Sequence, residues 1–199
     1  MKTSIIIPTH NRPKGLKRIV DSVEKYTNGD FEVIVCPNEC DDDTMVSNAN
    51  RGFRTCTGDL IVMFCDDHEM LTPKWNTRLM DEMPRDGVWL PRMYDGVITA
   101  YEPVVTRKWT DAVGYFLWPG LRHYYAESWL DDVAKRVNRR FDCSWLHLHH
   151  HHPERDATVK WDETYTKERE RYTDDSDEYA SHEEDREQAA ERLRAIMEK

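Results

Sequence analysis

Three short, almost continuously apolar segments constrain the fold of this chain more than any other feature. They are residues 3–7, 31–36 and 60–65, and each runs directly into polar or turn-forming residues. Between the first two, apolar residues recur over 16–23 at the spacing of one helix face. Strand, helix and strand in this order predict a mostly parallel sheet, and the near-continuous apolarity of the first and third strands fits a sheet that is covered on both faces.

The rest of the chain is less regular. A helix is predicted after Pro73, and apolar pieces around 88–91 and 103–106 have the character of strands. A second helix is predicted over 127–138, and 144–152 is strand-like. In the last part of the chain three segments can be told apart: 166–180, which fits either helix or loop, Ser181–Glu184, which has the pattern of a helical capping box, and an apolar stripe at 189–197.

Charge is concentrated at the end of the chain. The formal net charge is −10, with 28 Lys and Arg against 38 Asp and Glu, and residues 154–199 hold 16 of the acids but only 9 of the bases. We therefore interpret 1–153 as the folded domain and 154–199 as an acidic, helical extension. Net acidity argues against a generic binder of the nucleic-acid backbone. The apolar stripe must pack on its own domain or on a second copy, so a homodimer through this helix is one expectation.

The sequence also bears on location. No apolar run approaches the roughly 18 residues that span a bilayer, and the first residues lack the pattern of a secretory signal. The five cysteines are odd in number, which favours reduced thiols. We expect a cytoplasmic protein, in the host cytoplasm if the chain is viral.

The strand ends carry the chemistry. In an open parallel sheet, ligands bind beyond the carboxyl ends of the strands, which here are 8–11, 37–39 and 66–68. Asp66 and His68 can offer a carboxylate and an imidazole to one cation, and this donor pair suits Mn²⁺ better than Ca²⁺. Such an ion can bridge a diphosphate and stabilise its charge as it leaves. Taken alone, so short a motif also fits a solvated turn after a strand.

Four blocks follow one another within the first 70 residues: 4–12, 35–44, 50–52 and 58–68. Together they resemble the opening of the family-2 glycosyltransferases with the GT-A fold, and the last block leads into the position of that family's DxD motif. The resemblance implies a Rossmann-like α/β domain with three layers, α/β/α, and a mostly parallel central sheet. It also implies a donor half of about 1–95 and an acceptor half of about 96–153.

Carried over by position, the resemblance implies roles for individual residues. Pro8 and Thr9 would line the nucleobase and ribose, Asn38 would read the uracil, and His68 replaces the last Asp of the motif, the usual metal ligand. We keep a metal cofactor, Mn²⁺ or Mg²⁺, held by Asp66 and His68. The implied nucleotide-sugar site consists of Pro8, Thr9, Asn11, Arg12, Asn38, Arg51, Arg54, Asp66 and Asp67.

The second half should supply the acceptor side. Residues 114–130 resemble the block that carries the family's catalytic acids, and Glu127 falls where relatives place the general base. An inverting transfer needs one carboxylate beside the acceptor hydroxyl to take its proton. The alternative is that Glu127 only stabilises the first turn of a helix, where acids are favoured. Asp131, Asp132 and Glu69 are further candidates for the base.

Five of the nine histidines lie at 147 and 149–152, followed by Pro153. In a strand, 150 and 152 share one face while 149 and 151 share the other. The family has a His-x-His-Pro element here with a histidine that reaches the metal, so the resemblance implies His150 and His152 as additional ligands. The alternatives are a solvated strand end or an adventitious zinc or nickel site.

These observations lead to one functional hypothesis and one alternative. The hypothesis is a metal-dependent glycosyltransferase that moves a sugar from a nucleotide-sugar, a UDP-sugar, to a hydroxyl acceptor with inversion. A saccharide, a small metabolite, a protein side chain and a hydroxymethylated DNA base all remain open as acceptors, although the net charge does not favour DNA. The alternative is a non-catalytic protein that binds zinc or nickel through the histidine run.

Overall fold

The computed structural model describes residues 1–84, 86–94, 99–100, 102–170 and 172–197. Within them lie two four-stranded sheets and eight helices. The strands are β1 (Thr3–Thr9), β2 (Phe31–Pro37), β3 (Leu60–Met63), β4 (His68–Met70), β5 (Leu90–Tyr94), β6 (Thr99–Ala100), β7 (Val104–Thr106) and β8 (Arg140–His150). The helices are α1 (Pro13–Tyr26), α2 (Met45–Phe53), α3 (Trp75–Glu82), α4 (Arg107–Val113), α5 (Ala126–Arg136), α6 (Glu163–Glu170), α7 (Tyr172–Ser181) and α8 (Glu183–Met197).

The first sheet has the strand order β2-β1-β3-β7. β1 is parallel to both β2 and β3, with Ile5 opposite Val33 on one side and Val62 on the other. β7 is antiparallel to β3. The carboxyl ends of three strands and the start of the fourth therefore meet at one edge. The predicted α/β class and its parallel sheet are confirmed.

Both faces of the inner strands β1 and β3 are buried, as their near-continuous apolarity predicts, whereas the edge strand β2 is only partly buried. On one face, Ile6 and Ile61 belong to an apolar cluster with residues of α2, α4, α5 and α8. On the other, Ile5 and Val62 belong to a cluster with residues of α1, α3 and β8. Neighbouring residues of one strand thus bury opposite sides, which gives the α/β/α layering.

The second sheet, with the order β4-β8-β5-β6, places the histidines. β8 is its long inner strand, antiparallel to β4 and parallel to β5. In the β4–β8 ladder, His68 lies opposite His150 and Glu69 opposite His149. The polar end of β3 and the histidine run are thereby brought side by side.

The acidic end of the chain folds back onto the domain. Residues 166–170 and 172–180 are helical, and α8 packs against both α4 and α5. Ala189, Ala190 and Leu193 are buried there, so the apolar stripe is covered by its own chain. Among the described residues, no helix combines the length and the apolar character needed to cross a membrane.

Two local predictions about helix starts are wrong. Ser181 ends α7 and its hydroxyl donates to the carbonyl of Glu178, so it does not cap the following helix. The second expectation from the sequence is a capping residue at Asn11 and a helix start at Pro13: Pro13 does open α1, but Asn11 has a positive φ of 54° and precedes the N-cap residue, which is Arg12. The capping box that does form joins Thr44 and Ser47 at the start of α2.

Candidate active site

A cavity of about 490 Å³ lies at the edge where the strands of the first sheet end. It is lined by residues of each of these ends, of the start of α5, of the end of β8 and of α6. Sequence candidates that line it are Pro8, Thr9, Asn38, Asp66, Asp67, His68, Glu127, His150 and His152.

Asn11, Arg51 and Arg54 do not line this cavity. Asn11 lines a second, smaller hollow of about 220 Å³. Arg51 pairs with Asp43 at 3.1 Å and with Glu39 at 3.3 Å, so its charge is engaged in the loop after β2. Arg54 is exposed at the end of α2.

Asp66 is tied to the end of β1. Its Oδ2 accepts hydrogen bonds from the Thr9 hydroxyl at 2.7 Å and from the backbone N–H of His10 at 3.3 Å. Burial raises the pKa of Asp66, and the Thr9 hydrogen bond and the Arg12 charge oppose that increase. The other carboxylate oxygen of Asp66, Oδ1, lies 3.6 Å from the guanidinium of Arg12 and so faces a positive charge.

Asp67 is the electrostatic centre of the site. Its Oδ2 lies 3.3 Å from His150 Nε2 and 3.2 Å from the Tyr165 hydroxyl. Burial by itself would raise the pKa of this carboxyl, but the hydrogen bond and charge of His150 outweigh burial and lower it. The same contact raises the pKa of His150 against the effect of its own burial. The second oxygen, Oδ1, is buried without a hydrogen-bond partner.

His68 faces two carboxylates. Its Nε2 lies 4.0 Å from Asp67 Oδ1 and 3.9 Å from Glu102 Oε1. Its Nδ1 accepts a hydrogen bond from the backbone N–H of Cys65 at 3.2 Å, so the neutral ring carries its proton on Nε2. To bind a cation through Nε2, the His68 ring must carry its proton on Nδ1 instead. The hydrogen bond that Nδ1 accepts from Cys65 is then lost.

Arg12 supplies positive charge behind the two aspartates. It lies 3.6 Å from Asp66 and 3.7 Å from Asp67, and it donates to both oxygens of Asp162 at 3.0 Å. Its guanidinium stacks on the ring of Tyr165, 3.5 Å from the centroid. The first turn of α1 is thereby joined to α6, and the negative charge beside the cavity is partly balanced.

Glu127 lies in the first turn of α5, opposite the strand ends. The N-cap residue Tyr125 has a positive φ of 64°, and the backbone before it is held by Asp175 of α7. Burial raises the pKa of Glu127, while the charges of His123 and His150 oppose the increase. A carboxylate with a raised pKa is a better proton acceptor near neutral pH.

The chain is similar to known glycosyltransferases in part of its sequence and in its fold. Residues 4–46 match the model of glycosyl transferase family 2. S. aureus TarS has 14% identity and a TM-score of 0.58, with 72% of this chain and 35% of that chain covered. The chain has the GT-A fold, and residues 4–46 resemble glycosyl transferase family 2.

Two further solved structures share the fold. One is S. aureus TarS 1–349 in complex with UDP, at 14% identity and a TM-score of 0.56, with 72% of this chain and 58% of that chain covered. The other is glucosyl-3-phosphoglycerate synthase from Mycobacterium tuberculosis with Mn²⁺, UDP and glucosyl-3-phosphoglycerate, at 15% identity and a TM-score of 0.54, with 75% and 71% covered. This chain thus spans little more than a third of TarS and 58% of its 1–349 portion. No curated protein matches it.

The donor set around Asp66, Asp67 and His68 fits a divalent cation. His150, His68, Asp67 and Glu102 offer two nitrogens and two carboxylates, a mixture that Mn²⁺ accepts. The buried, unpartnered Oδ1 of Asp67 is an acceptor that a cation would satisfy. The Cys65 thiol lies close to Asp67 and His68, and burial raises its pKa.

Three residues that line or support the site escaped the sequence analysis. Glu102 lines the cavity beside His68, Tyr165 of α6 contacts Asp67, and Asp175 of α7 holds the loop before Glu127. Only Glu102 had a local signal, since it directly precedes a predicted strand. Tyr165 and Asp175 lie in the charged extension, where nothing in the local pattern marks them.

Proposed function

We propose that this chain is a glycosyltransferase that moves a sugar from a UDP-sugar to a hydroxyl acceptor, with inversion at the sugar carbon. The observation that carries the proposal is the meeting of three strand ends and Glu127 around one cavity. The family match over 4–46 and the fold shared with UDP-bound glycosyltransferases support it.

The nucleotide would lie against the ends of β1 and β2. Thr9 is oriented by Asp66, and the side chain of Asn38 accepts a hydrogen bond from Asn48 at 2.6 Å. Asn48 also lines the cavity, and its own Oδ1 is buried without a partner. A uracil offers one N–H and two carbonyl groups, so neighbouring amides suit it. We therefore assign uracil recognition to Asn38, with Asn48 positioning it.

The diphosphate would lie over Asp66-Asp67-His68. Mn²⁺ or Mg²⁺ would be held there by His68, His150 and the neighbouring carboxylates, with Asp66 and His152 as the further candidate ligands. When bound, such a cation offsets the negative charge on the departing diphosphate. Arg12 adds a fixed positive charge behind the same carboxylates.

Glu127 would act on the acceptor. Its raised pKa and its place on the cavity wall suit a group that takes the proton of the attacking hydroxyl. Asp131 also lines the cavity but pairs with Arg140 at 3.1 Å. Asp132 pairs with Arg186 at 2.8 Å and Glu69 contacts His151 at 2.9 Å, so both are engaged elsewhere. The acceptor class stays open among a saccharide, a small metabolite, a protein side chain and a hydroxymethylated DNA base.

A thermal-shift screen of nucleoside diphosphates and nucleotide-sugars, with and without Mn²⁺, tests the donor. We expect UDP and a UDP-sugar to raise the melting temperature, and to do so more strongly with Mn²⁺, because the ion and the diphosphate share the site. Replacing Asp66 and His68 together by Ala should abolish the Mn²⁺-dependent part. A shift with metal but with none of the nucleotides would refute the proposal and favour the non-catalytic metal-binding protein.

Glu127→Gln tests the base. We expect donor hydrolysis or sugar transfer to fall by about 10²–10⁴-fold, the usual worth of a general base, while the UDP-induced thermal shift is kept. Glu191→Gln, on the exposed side of α8, is the matched control and should behave like the unmodified chain. Equal activity of the two variants would rule out Glu127 as the base.

A further inference from the structure

The histidine run has two faces with different surroundings. His150 and His152 line the active cavity, and their rings are 5.3 Å apart. His149 and His151 pack against each other on the other face of the run, with ring centroids 4.1 Å apart, and neither lines that cavity. Strand alternation accounts for the separation. The second pair lies beside Asp156, in the turn after β8.

Three ligand atoms converge on this second face. Asp156 Oδ2 lies 3.3 Å from His149 Nε2 and 3.7 Å from His151 Nδ1. All three candidate atoms lie within 4.8 Å of one another. Tetrahedral zinc with bonds of about 2.0–2.1 Å separates its ligand atoms by about 3.3–3.4 Å. The observed spacing therefore leaves room for one such ion after small side-chain shifts.

The neighbours of these groups leave the right atoms available. His151 Nε2 lies 2.9 Å from Glu69 Oε2, so the ring proton belongs on Nε2 and the lone pair on Nδ1. This carboxylate–histidine arrangement is the one that orients metal-binding histidines in proteins. Asp156 uses its other oxygen, Oδ1, to accept from the backbone and hydroxyl of Thr158 at 2.9 and 2.6 Å. Oδ2 is thus directed at the histidines by the turn itself.

We propose that His149, His151 and Asp156 form a zinc site that is separate from the active cavity. Two imidazoles and one carboxylate suit Zn²⁺, and a solvent molecule completes the tetrahedron where His149 is partly exposed. Glu69 is the positioning residue for His151. The site joins the end of β8 to the following turn and, through Glu69, to β4. It therefore braces the strands that carry His68 and His150, and it does not depend on the proposed transfer reaction.

Zinc titration of the full chain, prepared without a histidine tag, tests the proposal. We expect the double variant His149→Ala/His151→Ala to bind one zinc fewer than the unmodified chain, or to bind that zinc at least a hundredfold more weakly. Glu69→Ala should weaken the same zinc by about 10–100-fold, as expected of a positioning carboxylate. With Co²⁺ in place of zinc, intense visible absorption of tetrahedral geometry should appear and should be lost in the double variant.

His147→Ala is the matched control, because it removes an imidazole from the same run but none of the three ligand atoms. Asp156→Asn preserves an oxygen for Thr158 and keeps the test open if the double variant fails to fold. It should lose zinc affinity while its circular dichroism stays unchanged. An equal loss in His147→Ala, or zinc affinity within threefold of the unmodified chain in both the double variant and Asp156→Asn, would overturn the proposal.

Discussion

The carboxylate of Asp175 should stabilise the loop that leads into Glu127 on the cavity wall. It is 1% exposed, and it accepts the backbone N–H groups of Arg122, His123 and Tyr124 at 2.9, 2.8 and 2.7 Å. Oδ1 accepts the first of these bonds and Oδ2 the other two. Replacing Asp175 with Asn turns one oxygen into a donor, so one or two of the three bonds are lost.

The size of the effect follows from the kind of bond. A hydrogen bond to a charged group contributes about 1.5–3 kcal/mol, and an N–H left buried without a partner costs a similar amount. Asp175→Asn should therefore lower the free energy of unfolding by about 2–4 kcal/mol. For a chain of this size, each kcal/mol corresponds to about 2–4 °C in melting temperature. Thermal and urea unfolding, followed by circular dichroism, measure the loss.

Asp174→Asn is the matched control, since its side chain is exposed on the same helix and the same charge is removed. It should change the free energy of unfolding by less than about 0.5 kcal/mol. If Asp175→Asn is no more destabilising than Asp174→Asn, α7 does not anchor this loop as the structure indicates. The loop leads into Glu127, so we also expect Asp175→Asn to reduce transfer more than it reduces UDP binding.

Two further predictions concern stability. The pKa of Glu32 is lowered to about 2: burial opposes the shift, but hydrogen bonds from Ser4, Thr57 and Lys2 outweigh it. Glu32→Gln should therefore lower the free energy of unfolding, measured with urea, by about 2–3 kcal/mol at pH 7. Its difference from the unmodified chain should shrink as pH falls from about 4.5 towards 2. A difference that stays constant with pH would contradict the assignment. Leu193→Ala removes a fully buried side chain between α8 and the domain and should lower the free energy of unfolding by about 2–5 kcal/mol. A loss no larger than that of exposed Glu191→Ala would mean that α8 is not docked.

Much of the arrangement at the strand ends could be predicted because it depends on short stretches of sequence. The strands end where their apolar runs end, and parallel neighbours bring those ends to one edge. Thr9, Asn38 and Asp66 therefore meet at one cavity without any further information about the fold. The separation of His150 from His149 follows from strand alternation in the same way.

Glu102 could not be placed in this way, because its position depends on the direction of a strand. β7 is antiparallel to β3, so the residues before β7 lie beside the carboxyl end of β3 and next to His68. A parallel β7 would have carried Glu102 to the opposite edge of the sheet. A short apolar run has the same composition in either direction, and only the completed sheet decides between them.

Tyr165 and Asp175 depend on a longer-range event, the return of the acidic segment to the domain. In the sequence this segment has the charge of a solvated extension, yet α6 reaches Asp67 and α7 holds the loop before Glu127. The pairing of β8 between β4 and β5, which sets His150 beside His68, is equally distant along the chain. Local periodicity reports which face of an element is apolar. Which segment covers that face depends on contacts between residues that are distant along the chain, and these contacts form only in the folded structure.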